Sequence, residues 1–148
     1  METPGLTGPI INIAAFNRHL MITVGITGEK KLFVTAEDTA SAWGSGTLPV
    51  LATPKMILLI EETASAVLAP LLPEGDTTVG TLVDVKHTSA SPVGTEVTCK
   101  VEVVEVDRAR TRFKVTVTDK FGEVGSGFHE RFTVHSDKFM AKANSKLE

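Results

Sequence analysis

Glu61 stands inside LATPKMILLIEE, residues 51–62, where an apolar run gives way to two carboxylates. It follows Pro54 by seven residues, so nearly two full helical turns return it to the side on which the segment begins. Ile57 precedes it and Ser65 follows it at four-residue spacing, within the apolar stripe, whereas Glu62 lies about 100° round the axis. A glutamate there either faces water, its usual fate, or is kept dry for chemistry. An ionised carboxylate buried without a partner costs several kcal/mol, so burial requires a donor nearby; the Arg131 guanidinium and the Thr53 hydroxyl are the candidates. Thr53 and Pro54 make a good helix start, with Thr53 as N-cap and Pro54 as first helical residue. A helix start also presents free N–H groups and partial positive charge, which suit a developing oxyanion. His87 alternates with Val83 and Val85 and is either a hydrogen-bonded core residue or a proton carrier near neutral pH. Gly80, in VGT, allows close backbone approach by a ligand or marks a bulge.

The elements that must position these residues are legible in the periodicity. Leu20, Ile22, Val24 and Ile26 alternate like a strand, GITGEKK reads as a turn, and LFVTA resumes β-prone residues. A short helix fits AEDTASAW, ended by the glycines of WGSG. Met56, Ile57, Ile60, Ala64, Val67 and Leu68 then recur at helical spacing, with Leu58 and Leu59 filling the other sides, so this helix is covered nearly all round. Pro70, Pro73 and Gly75 stop it. Beyond them the period changes to two: TVGTLVDVKHTSA, TEVTCKVEVVEV, TRFKVTVTD and VGSGFHERFTVH are strands joined by short turns, an antiparallel meander. Val97, Cys99, Val101 and Val103 share one face, as do Phe113, Val115 and Val117. The doublet Val103-Val104 breaks the alternation and predicts a bulge. One long helix with a sheet that covers it only by curving round it is the hotdog fold, an α+β class. The expected organisation is a flexible N-terminal tail over residues 1–9 and a single domain over 10–148.

Composition narrows the function classes. A chain of 148 residues is the size of one ordinary domain, and 42% apolar with 22% charged residues is ordinary for a globular one. The net charge of −3 gives no electrostatic reason to expect nucleic acid. Cys99 is the single cysteine, which excludes an internal disulfide and suits a reducing, cytoplasmic setting. No apolar run approaches the roughly 20 residues of a membrane span, and no secretory signal is visible. The four histidines have no metal-ligand spacing, so no metal is expected. His129 alternates opposite Phe128, Glu130 and Phe132 and is expected at solvent or at a contact between copies. The two GSG stretches lack the context of a nucleotide loop, and there is no GxSxG elbow.

Taken together, VLATPKMILLIEETASAVLAPLLPEG, TTVGTLVDVKHTSASPVGTEV and EVGSGFHERFTVHSDKF resemble the fluoroacetyl-CoA thioesterase-like family of hotdog proteins, over about residues 24–142. The resemblance implies a homodimer with a continuous sheet, possible further pairing to a tetramer, and metal-free hydrolysis of an acyl-CoA thioester. No cofactor is implied, coenzyme A being part of the substrate. It puts the family's threonine, glutamate and histidine on Thr53, Glu61 and His87 as catalytic residues, with Gly80 and Arg131 as substrate-binding. Arg131 then has three readings: an ion pair to Glu61, a contact to a coenzyme phosphate, or a rim charge. Lys138 and Lys142 could meet phosphates or be merely solvated. Gly46, Thr47 and Leu48 stand where several relatives carry bulkier or aromatic residues, so a fluorinated acyl group is not implied. Two other classes stay open: a non-catalytic acyl-CoA-binding or sensing module, and an enoyl-thioester hydratase of the same fold.

Overall fold

The protein is described here by a computed structural model over residues 21–148. The expected tail over 1–9, and Leu20 of the expected first strand, lie outside the described residues. In chain order the elements are β1 (Thr27–Phe33), α1 (Ala40–Trp43), α2 (Thr53–Leu68), β2 (Asp76–His87), β3 (Glu96–Asp107), β4 (Arg110–Asp119), β5 (Gly122–His135) and α3 (Ser136–Asn144). Single 3-10 turns over Ala36–Asp38, Ala69–Leu71 and Ser145–Leu147 join or end them.

All five strands form one antiparallel sheet in the order β1-β3-β4-β5-β2, curled around α2. Met56, Leu59, Ile60, Ala64 and Leu68 of α2 are buried against Val97, Cys99, Val101 and Val103 of β3, Phe113, Val115 and Val117 of β4, and Val124 of β5. Each valine, leucine, isoleucine, methionine or phenylalanine among them contributes roughly 1.5–3 kcal/mol when taken fully out of water. The predicted bulge is present as a register shift between Val103 and Glu105, where the Val103-Val104 doublet interrupts the alternation.

Three expectations change. The strand begins at Thr27, and GITGEKK, expected as a turn, is mostly strand; it reads poorly because β1 is an edge whose residues are largely exposed and can be charged. Residues 21–26 form turns and bends instead. The last four strands are not a simple meander, because β2 skips β3 and pairs with β5 at the far edge. Residues 88–95 carry the chain back across the sheet, so among the described residues no strand pairs with the other side of β2 along its 12 residues.

Candidate active site

The sequence-predicted residues fall into two groups within the chain, one at each end of β2. At its C-terminal end, His87 Nδ1 lies 2.9 Å from Thr53 Oγ1 at the first turn of α2. Thr53 is not the N-cap: Ala52 occupies that position, no side chain caps the helix, and Thr53 is the first helical residue with Pro54 behind it. The hydroxyl is engaged by the imidazole instead. Because proline has no N–H, the free donors of this first turn are those of Thr53 and Lys55.

The surrounding backbone fixes the helix start. Ala52 N–H donates to the Asp38 carbonyl at 2.9 Å, Leu51 N–H to Ser91 at 2.8 Å and Ala40 N–H to Val50 at 2.8 Å. The Lys55 ammonium sits 3.5 Å from Asp38 and 6.0 Å above the Trp43 ring. The indole N–H of Trp43 donates to the Glu37 carbonyl, and α1 ends at Gly44 in the left-handed conformation, φ 74°. On the other side, the N–H groups of Thr88 and Ser89 both reach the Val124 carbonyl and hold the segment after His87.

Thr53 and His87 open onto a cavity of about 280 Å³ lined also by Ala40, Ser45, Thr88 and Ala90. Larger grooves of about 740 and 570 Å³ run over the outer face of the sheet, away from this pair. Burial lowers the His87 pKa below its ordinary 6.5, with a backbone contact to Ser89 acting in opposition. Burial thus favours the neutral ring, and in the tautomer with its proton on Nε2 the free Nδ1 can accept from the Thr53 hydroxyl, the arrangement of a hydroxyl beside a general base.

The second group surrounds Glu61. Its Oε2 lies 3.6 Å from Arg131 Nη1, with the glutamate side chain 39% exposed and the arginine 8%. Of the two donors named from the sequence, the structure pairs Glu61 with Arg131 and gives the Thr53 hydroxyl to His87. Gly80 is the wall of this group: a Cβ there would run into the Glu61 carboxylate and stand 3.3 Å from Arg131 Nη1. The register slips just beyond it, between Gly80 and Leu82, so the bulge reading and the close-approach reading both apply, the approaching group being Glu61. Glu62 faces away and pairs with Lys30 of β1 at 3.2 Å.

The two groups do not meet within one chain. Eight helical residues separate Thr53 from Glu61, a rise of about 12 Å, and seven strand residues separate Gly80 from His87, roughly 23 Å.

The structure corrects the placement of His129, which is fully buried. Strand β5 inverts the usual alternation: His129 and Arg131 point toward α2 while Phe132 is 40% exposed. Phe128 is half-buried on the outer side under the Arg112 guanidinium, 4.3 Å away. Alternation alone assigns these polar residues to the wet face. What turns them inward is the pairing with β2, whose buried Thr78 supplies the acceptor for Arg131 and which residue spacing does not show. Among the described residues no group of three His, Cys, Asp or Glu side chains could hold a metal ion, and no helix is long and apolar enough to cross a membrane.

Known proteins give this geometry a context. The family model described as fluoroacetyl-CoA-specific thioesterase matches residues 34–137. The chain is 39% identical over 97 residues to the fluoroacetyl-CoA thioesterase of Streptantibioticus cattleyicolor, a match covering 66% of this chain and 70% of that protein. A solved structure of a fluoroacetyl-CoA thioesterase superposes with a TM-score of 0.79 at 33% identity, over 84% of this chain and 97% of that one. A hot-dog-like protein from Thermanaerovibrio acidaminovorans superposes at 0.82 with 24% identity, over 90% and 97% of the two chains, a likeness of fold. The fold is the expected hotdog, and the chain belongs to the fluoroacetyl-CoA-specific thioesterase family.

Proposed function

We propose that this protein hydrolyses a small acyl-CoA thioester to the free acid and coenzyme A, without a metal, as a cytoplasmic homodimer. The observation that carries the reading is the hydroxyl–imidazole contact of 2.9 Å at the start of α2, in a chain of a thioesterase family. Small neighbours favour a short acyl group: Ala40, Ser45 and Ala90 line the cavity, and Gly46 and Thr47 follow in the same loop. The buried, unpaired Cys99 is in keeping with a reducing compartment.

Dimerisation follows from the open edge of β2. A long unpaired edge is a template for another strand, and this one carries Leu82 and Val83 at 40% and 37% exposure. A C2 interface pairs the same strand with its copy, antiparallel. With the two-fold axis near Val83 and Asp84, Gly80 of one protomer comes opposite the partner's His87, and Glu61 is carried toward the other helix start. The separation within one chain then becomes a reason for two.

In that assembly the thioester carbonyl oxygen lies at the free N–H groups of the α2 start, where negative charge developing in the tetrahedral intermediate is favoured. Glu61 draws in and orients the attacking water. Neutral His87 carries a proton from the attacking oxygen to the departing thiolate, with Thr53 Oγ1 as the first oxygen its Nδ1 can serve. Arg131 holds the Glu61 carboxylate in place; its 7% exposure and internal bonds favour this role over a coenzyme phosphate contact.

The test is thiol release across a panel of acyl-CoAs, with Glu61→Gln alongside and the molar mass measured by light scattering. The parent is expected to release thiol fastest from short acyl-CoAs as a dimer, and the variant to be slower by about 10²–10⁴. Thermal shifts with no thiol release would identify a binding module instead, and a 3-hydroxyacyl product without thiol would identify a hydratase.

A further inference from the structure

His129 has no part in the chemistry above and no solvent contact, yet its surroundings fix both ring nitrogens. Arg131 Nη1 lies 3.2 Å from His129 Nε2. A guanidinium only donates, so Nε2 is the acceptor and the ring proton sits on Nδ1. That nitrogen is 2.8 Å from the Leu82 carbonyl and donates to it. The ring is further held against Phe113, with centroids 6.2 Å apart and planes inclined by 22°. Arg131 is gripped from the other side by Thr78, its Nε donating to Oγ1 at 2.8 Å and its Nη2 to the carbonyl at 3.1 Å.

We propose that His129, assisted by Thr78, is the positioning residue of the site: it orients Arg131 so that Nη1 faces the Glu61 carboxylate. The inference rests on the catalytic reading of Glu61 for its kinetic part. The chain of contacts runs from the Leu82 carbonyl, beside the slip in β2, through the imidazole and the guanidinium to the carboxylate on α2. Each link has one possible direction of donation, so the geometry is determined as well as close. The same Nη1 faces both His129 and Glu61, so loss of the imidazole acceptor leaves it with the more exposed carboxylate alone and lets the guanidinium rotate about its Thr78 anchor. A buried apolar residue would fill the volume of His129 without the cost of burying an imidazole. Its acceptor nitrogen is what such a residue lacks.

Three substitutions separate positioning from packing. His129→Phe keeps a ring against Phe113 and removes both polar contacts. His129→Asn keeps a donor near the Leu82 carbonyl and loses the acceptor for Arg131. His129→Gln places an amide oxygen near the lost Nε2. Two readouts are taken on the full-length protein: kcat and KM with a short acyl-CoA, and the NMR signals of the Arg131 guanidinium. Loss of a hydrogen bond to a charged group predicts kcat lower by about 10- to 100-fold in the Phe and Asn variants, with KM nearly unchanged. Their Arg131 signals should broaden, and the Gln variant should recover both readouts. Should Phe fail to fold, Asn against Gln carries the comparison. Parental kcat in folded Phe or Asn variants while Glu61→Gln is inactive would overturn the proposal. If Glu61→Gln is itself fully active, the catalytic reading falls, and unchanged Arg131 signals in the Asn variant would then overturn the positioning role separately.

Discussion

The two ends of β2 are built on opposite plans. At the His87 end one hydroxyl–imidazole contact faces a cavity, and the walls are small residues held by backbone hydrogen bonds. At the Gly80 end a guanidinium, an imidazole and a threonine are sealed in the interior with nearly every donor assigned, and only the carboxylate of Glu61 reaches outward. The open end has room for a ligand and a proton acceptor. The sealed end has fixed charge and little freedom, which is the condition for electrostatic preorganisation. In the proposed dimer a two-fold axis through the strand would join one plan to the other.

The largest expected effect breaks the open end. His87→Ala should lower turnover by about 10²–10⁴ with a circular dichroism spectrum and melting profile close to the parent's, because the ring makes one side-chain hydrogen bond to Thr53. At the sealed end Gly80→Ala drives a methyl into the Glu61 carboxylate; misplacing that group by about 1 Å should cost up to about 10² in kcat, read by steady-state kinetics.

A pH series sharpens the contrast. Burial is the largest cause of a lowered pKa at both His87 and His129; at His129 the Leu82 carbonyl opposes it and Arg131 adds to it. An unfolded histidine binds its proton near 6.5, so the unfolded chain takes up more protons below that pH. Stability is therefore full above pH 6.5 and lost as pH falls through the lower folded values, which urea unfolding at several pH values would show. The contribution of His129 should disappear from that slope in His129→Gln. The smallest effect is Thr53→Ala on stability. With no capping bond to lose, it should change the unfolding free energy by less than about 0.5 kcal/mol, against the ~1 kcal/mol that a capping threonine contributes, while kcat still falls.

Much of this was readable from residue order. The period of two in Val97, Cys99, Val101 and Val103 gave the buried face of β3, and the valine doublet marked its bulge. The spacing from Ile57 and Ser65 put Glu61 in the apolar stripe of α2 with two candidate donors, Arg131 and Thr53, and the structure pairs it with Arg131. Other features depended on contacts that sequence spacing does not encode. The inward turn of His129 and Arg131 follows from β2 pairing with β5, a neighbour set by the crossover over residues 88–95. The Thr53 hydroxyl looked like a cap because a threonine before proline usually is one; a histidine 34 residues away takes it instead. The edge strand β1 was hidden by its own charges, with Glu29, Lys30 and Lys31 in succession where, among the described residues, only one side has a neighbour.

Trp43 is the single tryptophan of the chain. It stands in the chain between Ala40 and Ser45, two residues that line the cavity, and is 44% exposed, with its indole tied to Glu37 and an ammonium above its face. All indole fluorescence therefore arises on α1, whose first residue lines the cavity, so the protein carries its own optical gauge of that segment, and titration with unlabelled ligands needs no attached dye.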